Sequence, residues 1–141
     1  LSTRNPLGPG CFRVAVQALA VLANADCACP SAAIAQDVEA HAVFLRRVLA
    51  QLARARIVEA REGRDGGYRL ARPADQITLA EIYRAFKVGD PADEAAPAPG
   101  GNPRVHAALD AIGDEVDQRI LDVFEQYTLA SVVGRPIPTS R

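Results

Sequence analysis

Eight arginines fall between Val43 and Arg72 (Arg46, Arg47, Arg54, Arg56, Arg61, Arg64, Arg69 and Arg72), against three acids, Glu59, Glu62 and Asp65. Guanidinium groups hold phosphate through charge and paired N–H donors, and they grip the O6/N7 edge of guanine with two hydrogen bonds. A cluster of this kind is the footprint of a nucleic-acid interface, although the same residues also suit a merely solvated helix face. The second reactive set is Cys11, Cys27 and Cys29. A C-x-C pair can bind metal or close a strained disulfide, but two thiols do not complete a metal site. Unligated, inert thiols are one reading, and a thiol-based redox switch at Cys11, Cys27 or Cys29 is the other. His41 and His106 lie in different elements with no matched carboxylate or cysteine spacing, so both read as surface residues. The glycines from Gly63 to Gly67 lie between two strand patterns rather than between a strand and a helix, so they form no phosphate-binding loop. Catalysis is not expected.

The elements that position these groups run from Ser31 to Arg72. Ile34 and Val38 share one face of a short helix, and Leu45, Val48, Leu49 and Leu52 follow the i, i+3, i+4, i+7 spacing of an amphipathic second helix. The opposite face of that helix carries Val43, Arg47, Ala50 and Arg54, flanked by Phe44, Arg46 and Gln51. The period then changes to two: Val58 and Ala60 alternate with Glu59 and Arg61, and Tyr68 and Leu70 with Arg69 and Ala71. Glu62 to Gly67 supplies the positive φ angles of a hairpin turn. Helix–turn–helix plus hairpin predicts a winged helix–turn–helix, whose second helix enters the DNA major groove.

Around this motif the spacing predicts a first helix over about Cys11 to Ala23, with Phe12, Val16, Leu19, Leu22 and Ala23 on one face and Asn24 as a left-handed stop. Ser31 is the expected N-cap of the next helix. Thr78 to Glu81 is a capping box opening a helix that buries Leu79, Ile82, Tyr83 and Phe86. Residues 88–103 are rich in Pro, Gly and Ala and read as a flexible linker. Asn102 and Pro103 then start a long helix with a narrow stripe, Val105, Leu109, Ile112, Val116, Ile120, Val123 and Tyr127. That stripe either packs back on its own domain or pairs with a twin, and pairing is the preferred expectation. The fold class is mainly α with a small β-hairpin. The expected divisions are a winged helix–turn–helix domain at 1–87, the linker at 88–103, a dimerisation helix at 104–133 and a tail at 134–141.

Bulk numbers agree with this organisation. The chain has 141 residues, 49% hydrophobic and 23% charged, with a net charge of −1. Residues 1–90 hold twelve Lys and Arg against nine acids, and residues 91–141 hold four against eight, so acid collects away from the proposed DNA face. An odd cysteine count with no secretory leader pattern is the expectation for a cytoplasmic protein, and no apolar run reaches the length of a membrane span.

The run from Ile34 to Pro73 resembles the winged-helix repressors of the IscR, NsrR and CymR type, the Rrf-two family. Ile57-Val58, the wing Gly66-Gly67-Tyr68-Arg69-Leu70, Arg72-Pro73, the helix from Ile77 to Ala85 and Thr128-Leu129-Ala130-Ser131-Val132 carry the similarity, which covers about Phe12 to Val133. The resemblance implies a repressor that dimerises through its long helix. Relatives place glycine where Glu39 stands, Ser or Asn where His41 stands, and often an arginine that enters the minor groove where Glu62 stands. Iron–sulfur members ligate a cluster through three cysteines between the helix after the wing and the long helix. Here residues 87–103 contain no cysteine, so no cluster and no other cofactor is expected.

The resulting expectation is a homodimeric, sequence-specific repressor acting on double-stranded DNA, with no membrane role and with a small-molecule or protein effector left open. Arg46 and Arg47 are the candidates for base edges, and Val43 and Phe44 for thymine methyls or sugars. Ser31, Arg54, Arg61, Arg64 and Arg69 are cast as phosphate contacts. The rivals are the redox-sensing regulator and a winged-helix module that binds protein instead of DNA.

Overall fold

A computed structural model describes residues 10–64, 66–87 and 100–134. Helix α1 (Cys11–Ala23) buries Phe12, Ala15, Ala18, Leu19 and Leu22. The buried stripe passes through the two alanines rather than through Val16 and Ala23, which are half-buried. Small residues there let α3, α4 and the last helix approach α1 closely, at the centre of the core. Asn24 is not the left-handed stop its type suggests. Its φ of −93° and ψ of −3° keep it in the right-handed region, where its N–H reaches the Ala20 and Val21 carbonyls at 3.3 Å.

Helices α2 (Ser31–Asp37) and α3 (Ala42–Arg54) form the helix–turn–helix. Pro30, not Ser31, is the N-cap of α2: its restricted φ of −61° suits the extended cap conformation, and its carbonyl accepts the Ile34 N–H at 3.2 Å. Ser31 is therefore the first helical residue and makes no cap bond. His41 caps α3, likewise without a side-chain bond. Leu45, Val48, Leu49 and Leu52 are the buried stripe that their spacing predicts.

Both helices end in the same motif. Glu39 N–H bonds the Gln36 carbonyl at 3.3 Å and Ala40 N–H the Ala35 carbonyl at 3.0 Å; after α3, Arg56 N–H bonds Ala53 and Ile57 N–H bonds Leu52, each at 3.0 Å. This paired closure is a Schellman motif, which requires a left-handed residue at its corner. Glu39 (φ 53°) and Arg56 (φ 60°) occupy the two corners. Neither is glycine, so each carries roughly 1–2 kcal/mol of backbone strain.

The wing is the antiparallel pair β1 (Val58–Arg61) and β2 (Gly67–Leu70), in register Val58↔Leu70, Glu59↔Arg69, Ala60↔Tyr68 and Arg61↔Gly67. Gly63, at φ 113°, opens the turn, and the Gly66 N–H closes it on the Gly63 carbonyl at 3.0 Å. On its other side β2 meets the α1–α2 loop. Cys29 N–H donates to the Tyr68 carbonyl at 2.9 Å, and Tyr68 N–H to the Cys29 carbonyl at 2.7 Å. A Cβ on Gly67 would overlap that Cys29 carbonyl, so the second glycine of the Gly-Gly-Tyr run is where the loop packs against the wing.

A 3-10 turn (Ala74–Gln76) leads into α4 (Leu79–Lys87). Thr78 and Glu81 form the expected capping box: Thr78 N–H reaches Glu81 Oε2 at 3.1 Å, and Glu81 N–H reaches Thr78 Oγ1 at 3.2 Å. Most of the expected linker, residues 88–99, lies outside the described residues. Asn102 Oδ1 accepts the Arg104 N–H at 2.9 Å and opens α5 (Pro103–Phe124). In place of one helix over 104–133 there are two, because α5 ends at Phe124 and α6 (Leu129–Gly134) follows. Thr128 and Ser131 exchange side-chain-to-backbone bonds of 2.9 and 3.1 Å that start a new helix instead of prolonging the old one. Tyr127, expected to close the long stripe, lies in this connection, and its carbonyl accepts the Leu79 N–H at 3.0 Å.

Only the last turns of α5 enter the core. Leu121 and Phe124 are buried with Leu129. Phe124 stacks on Phe12 at 5.1 Å, with the Tyr83 ring edge-on to both. Arg84 and Glu125 pair at 2.9 Å, and the Tyr83 hydroxyl meets Asp117 at 3.4 Å, so α4 holds this end of the helix.

Candidate nucleic-acid interface

Burial of the α3 leucine stripe leaves Val43, Arg46, Arg47, Ala50 and Arg54 exposed on the other side. Val43 is 71% exposed, an apolar side chain with no cover at the first turn. Phe44 differs from its neighbour: it is half-buried and packs on the core, which leaves Val43 as the apolar group facing outward. Ser31, at the start of α2, is half-buried.

The wing arginines separate by partner. Arg69 stands opposite Glu59 in register and is ion-paired to it, with Nη2 and Nε both 3.0 Å from Oε2. That carboxylate offsets much of the charge offered to an outside phosphate. Arg61, at the end of β1, and Arg64, in the turn, are exposed and have no ion pair among the described residues. The same holds for Arg46, Arg47 and Arg54 on α3. Glu62 is also exposed in the turn, between Arg61 and Arg64, so wing charge is mixed rather than uniformly positive.

Cys27 and Cys29 carry free thiols, and the three cysteines do not converge. Cys11 begins α1 and is half-buried, whereas Cys27 is exposed and Cys29 half-buried in the α1–α2 loop. Burial, with smaller contributions from Cys27 and Asp37, raises the Cys29 thiol above its ordinary pKa and holds it protonated. The hydrogen-bonded tie between Cys29 and the wing carries no signal in composition or periodicity. Its one trace in the sequence is Gly67, a glycine demanded by a close approach.

Comparison with known proteins gives a consistent answer. Residues 11–135 match the profile of the Rrf2 family, described as iron-dependent transcriptional regulators. Rv1287 of Mycobacterium tuberculosis, a candidate HTH-type transcriptional regulator, is 32% identical over 100 residues, covering 67% of this chain and 60% of that protein. The chain thus spans about 60% of the length of the first curated relatives it matches. The solved structure of T. potens IscR superposes with a TM-score of 0.66 at 23% identity, over 89% of this chain and 85% of that one. CymR of B. subtilis, the global cysteine regulator, superposes with a TM-score of 0.64 at 20% identity, over 90% and 95%. The two solved structures support the winged-helix fold, and the profile spans every element from α1 to α6: this chain belongs to the Rrf2 family of transcriptional regulators.

Proposed function

We propose that the chain is a homodimeric repressor that places α3 in the major groove of double-stranded DNA and works without an iron–sulfur cluster. The observation that carries the reading is the exposed face of α3, where Arg46, Arg47 and Arg54 have no ion pair among the described residues and stand on a helix fixed by a buried stripe. In this reading Arg46 and Arg47 contact base edges and Val43 contacts thymine methyls. Ser31, Arg54, Arg61 and Arg64 hold phosphates, with Arg69 a weaker contributor because Glu59 already engages it. Dimerisation is assigned to α5, where Val105, Leu109, Ile112, Val116 and Val123 are each 51–58% exposed. Ile120 is half-buried and Tyr127 lies beyond the helix end, so both sit at the margin of such an interface.

The family description names iron, and the residues present do not fit a cluster. A cluster requires converging thiolates, yet there is no cysteine from residue 87 to 103, and Cys11 lies at the far end of α1 from Cys27 and Cys29. No group of three His, Cys, Asp or Glu side chains suited to a metal occurs among the described residues. No step of the proposed function passes through iron.

A second reading, a thiol-responsive repressor, draws on the tie between Cys29 and Tyr68, which would carry a change at exposed Cys27 to the wing. The raised pKa of Cys29 speaks against that thiol as the reacting group. Selecting bound fragments from random genomic DNA and measuring affinity for them against random duplex tests the main reading. Sequence preference with a steep salt dependence is expected, and equal weak binding to all sequences would refute it. Peroxide treatment of wild type and a Cys27→Ser, Cys29→Ser variant separates the second reading, which alone expects a response that the variant loses.

A further inference from the structure

Between the α1–α2 loop and the root of the wing lies a cleft of about 550 Å³, within the range of small-molecule sites. Its lining brings together Arg61, Arg69 and Arg72, with Cys27 and one carboxylate, Asp26, beside them and Leu70 and Ala74 providing apolar surface, so three guanidiniums face a single lining acid. Two of the guanidiniums are held by partners and still have donors to spare. Arg72 uses Nη1 for both Glu81 Oε1 at 3.0 Å and the Gln76 carbonyl at 3.3 Å, while its Nε and Nη2 make no bond among the described residues. Arg69 engages Glu59 through Nε and Nη2, which leaves Nη1. Arg61 is exposed and has no ion pair among the described residues. Planar donors already fixed by the fold lose little further freedom on meeting a carboxylate or phosphate.

We propose that this cleft binds an anionic small-molecule effector, a carboxylate or phosphate on a short apolar body, and that occupancy weakens DNA binding. The regulatory consequence rests on the DNA-binding reading above; the binding itself does not. A bound anion would engage Arg61 and Arg69, withdrawing them from the DNA backbone. It would also sit against the loop whose Cys29 is hydrogen-bonded to β2, so occupancy bears on the position of the wing.

The test uses the full chain and two readouts. Inorganic phosphate and the straight-chain dicarboxylates from malonate to adipate are titrated at constant ionic strength, with chloride as the control. Without DNA, alkylation of Cys27 by iodoacetamide is followed by peptide mass spectrometry, with Cys11 as the internal reference. At least one probe should slow Cys27 alkylation about fivefold at roughly four times its Kd, leaving Cys11 unchanged. Arg72→Gln and Ala74→Leu, at positions with no assigned DNA contact, should each remove the protection, one by deleting a charge and the other by filling space. The same probe at saturation should lower DNA affinity about tenfold in the unaltered chain and not in the two variants. Absence of protection by every probe, equal protection by chloride, or protection that survives both substitutions overturns the site. Protection by random duplex but by no small anion overturns it too, since the occupant would then be the DNA backbone. Protection with no change in DNA affinity overturns the regulatory coupling. Because the first readout contains no DNA, failure of the DNA-binding reading would leave it intact.

Discussion

In α3 the stripe Leu45, Val48, Leu49 and Leu52 is wholly buried, whereas in α5 Val105, Leu109, Ile112 and Val116 repeat a similar spacing with half or more of each surface in water. One amphipathic pattern has found its cover within the chain, and the other has none among the described residues. The difference lies in how each helix is held. Helix α3 is held along its length by α1, α2, α4 and β1, while α5 is held mainly at one end, by the Phe12–Tyr83–Phe124 ring cluster and the Arg84–Glu125 pair. The polar side of each then takes on a different meaning. On α3 it is the proposed DNA face, arginine-rich and backed by a buried stripe; on α5 the uncovered apolar side is the feature that asks for a partner.

The largest expected effect comes from breaking the uncovered half of α5. Leu109→Glu with Ile112→Glu should convert the proposed dimer to a monomer in light scattering and lower operator affinity by about 10²–10⁴, since two linked half-site contacts become independent. A doubly charged variant that stays dimeric would move the interface off this stripe. Truncation before α5 is the wrong instrument, because it would also remove Leu121, Phe124 and Leu129 from the core.

The anchored end should behave in the opposite way. Phe124→Ala removes a buried ring and its two aromatic contacts, and should cost about 3–5 kcal/mol in chemical denaturation. Val105→Ala, at the opposite end of the helix and half exposed, should change the stability of the isolated chain far less. Equal losses at the two positions would mean that the stripe is covered within the same chain after all.

On α3 the sharper comparison is between reading and holding. Arg46→Ala or Arg47→Ala should cost about 1–3 kcal/mol on a selected operator and relax preference at one position per half-site. Arg64→Ala, on the wing, should weaken operator and random DNA alike and lower the salt slope by about one unit. If Arg46→Ala and Arg47→Ala both lose affinity equally on every duplex, bases are not read through these residues.

The sequence made much of this layout visible because its strongest signals are local. Leucine spacing placed the α3 stripe, Thr78 and Glu81 marked a helix start, and Gly63 to Gly67 marked the wing turn. Contacts between distant segments left weaker traces. Nothing near Cys29 signals a bond to Tyr68, and only Gly67 registers it. The division of the C-terminal stretch was hidden because the apolar spacing runs on past Phe124 to Tyr127, while the Thr128–Ser131 exchange that starts α6 is a side-chain choice rather than a periodic one. Arg61, Arg69 and Arg72 were visible as charges, but their convergence on one cleft depends on the strand register and on the loop packed beside it.

The start of α3 offers a smaller effect. His41 is the N-cap residue in extended conformation and makes no cap bond. Serine there can accept from one of the unpaired N–H groups of the first turn, so His41→Ser should raise stability by about 1 kcal/mol in denaturant titration. No gain would mean that water or the His41 ring already serves those groups as well as a hydroxyl.

The smallest effects come from the two Schellman corners, and there the signs carry the information. Glu39 at φ 53° ends α2 and Arg56 at φ 60° ends α3; both are exposed, and both hold left-handed backbone that glycine adopts freely. Relief of roughly 1–2 kcal/mol of strain is opposed by the greater freedom of glycine in the unfolded chain, roughly 0.5–1 kcal/mol, which leaves a net gain between zero and about 1.5 kcal/mol. Glu39→Gly and Arg56→Gly should therefore shift the unfolding midpoint the same way and by similar amounts. Their charges predict a split in binding. Glu39 lies in the turn between α2 and α3, where a carboxylate repels phosphate, so its loss should raise DNA affinity, and more at low salt than at high. Arg56 contributes positive charge near the start of the wing, and its loss should lower affinity or leave it unchanged. A binding effect larger at Glu39 than at Arg56 would support presentation of α3 to DNA from its N-terminal side, and a larger effect at Arg56 would turn that presentation around. Affinity changes of the same sign in both would mean that charge is not what these two residues contribute.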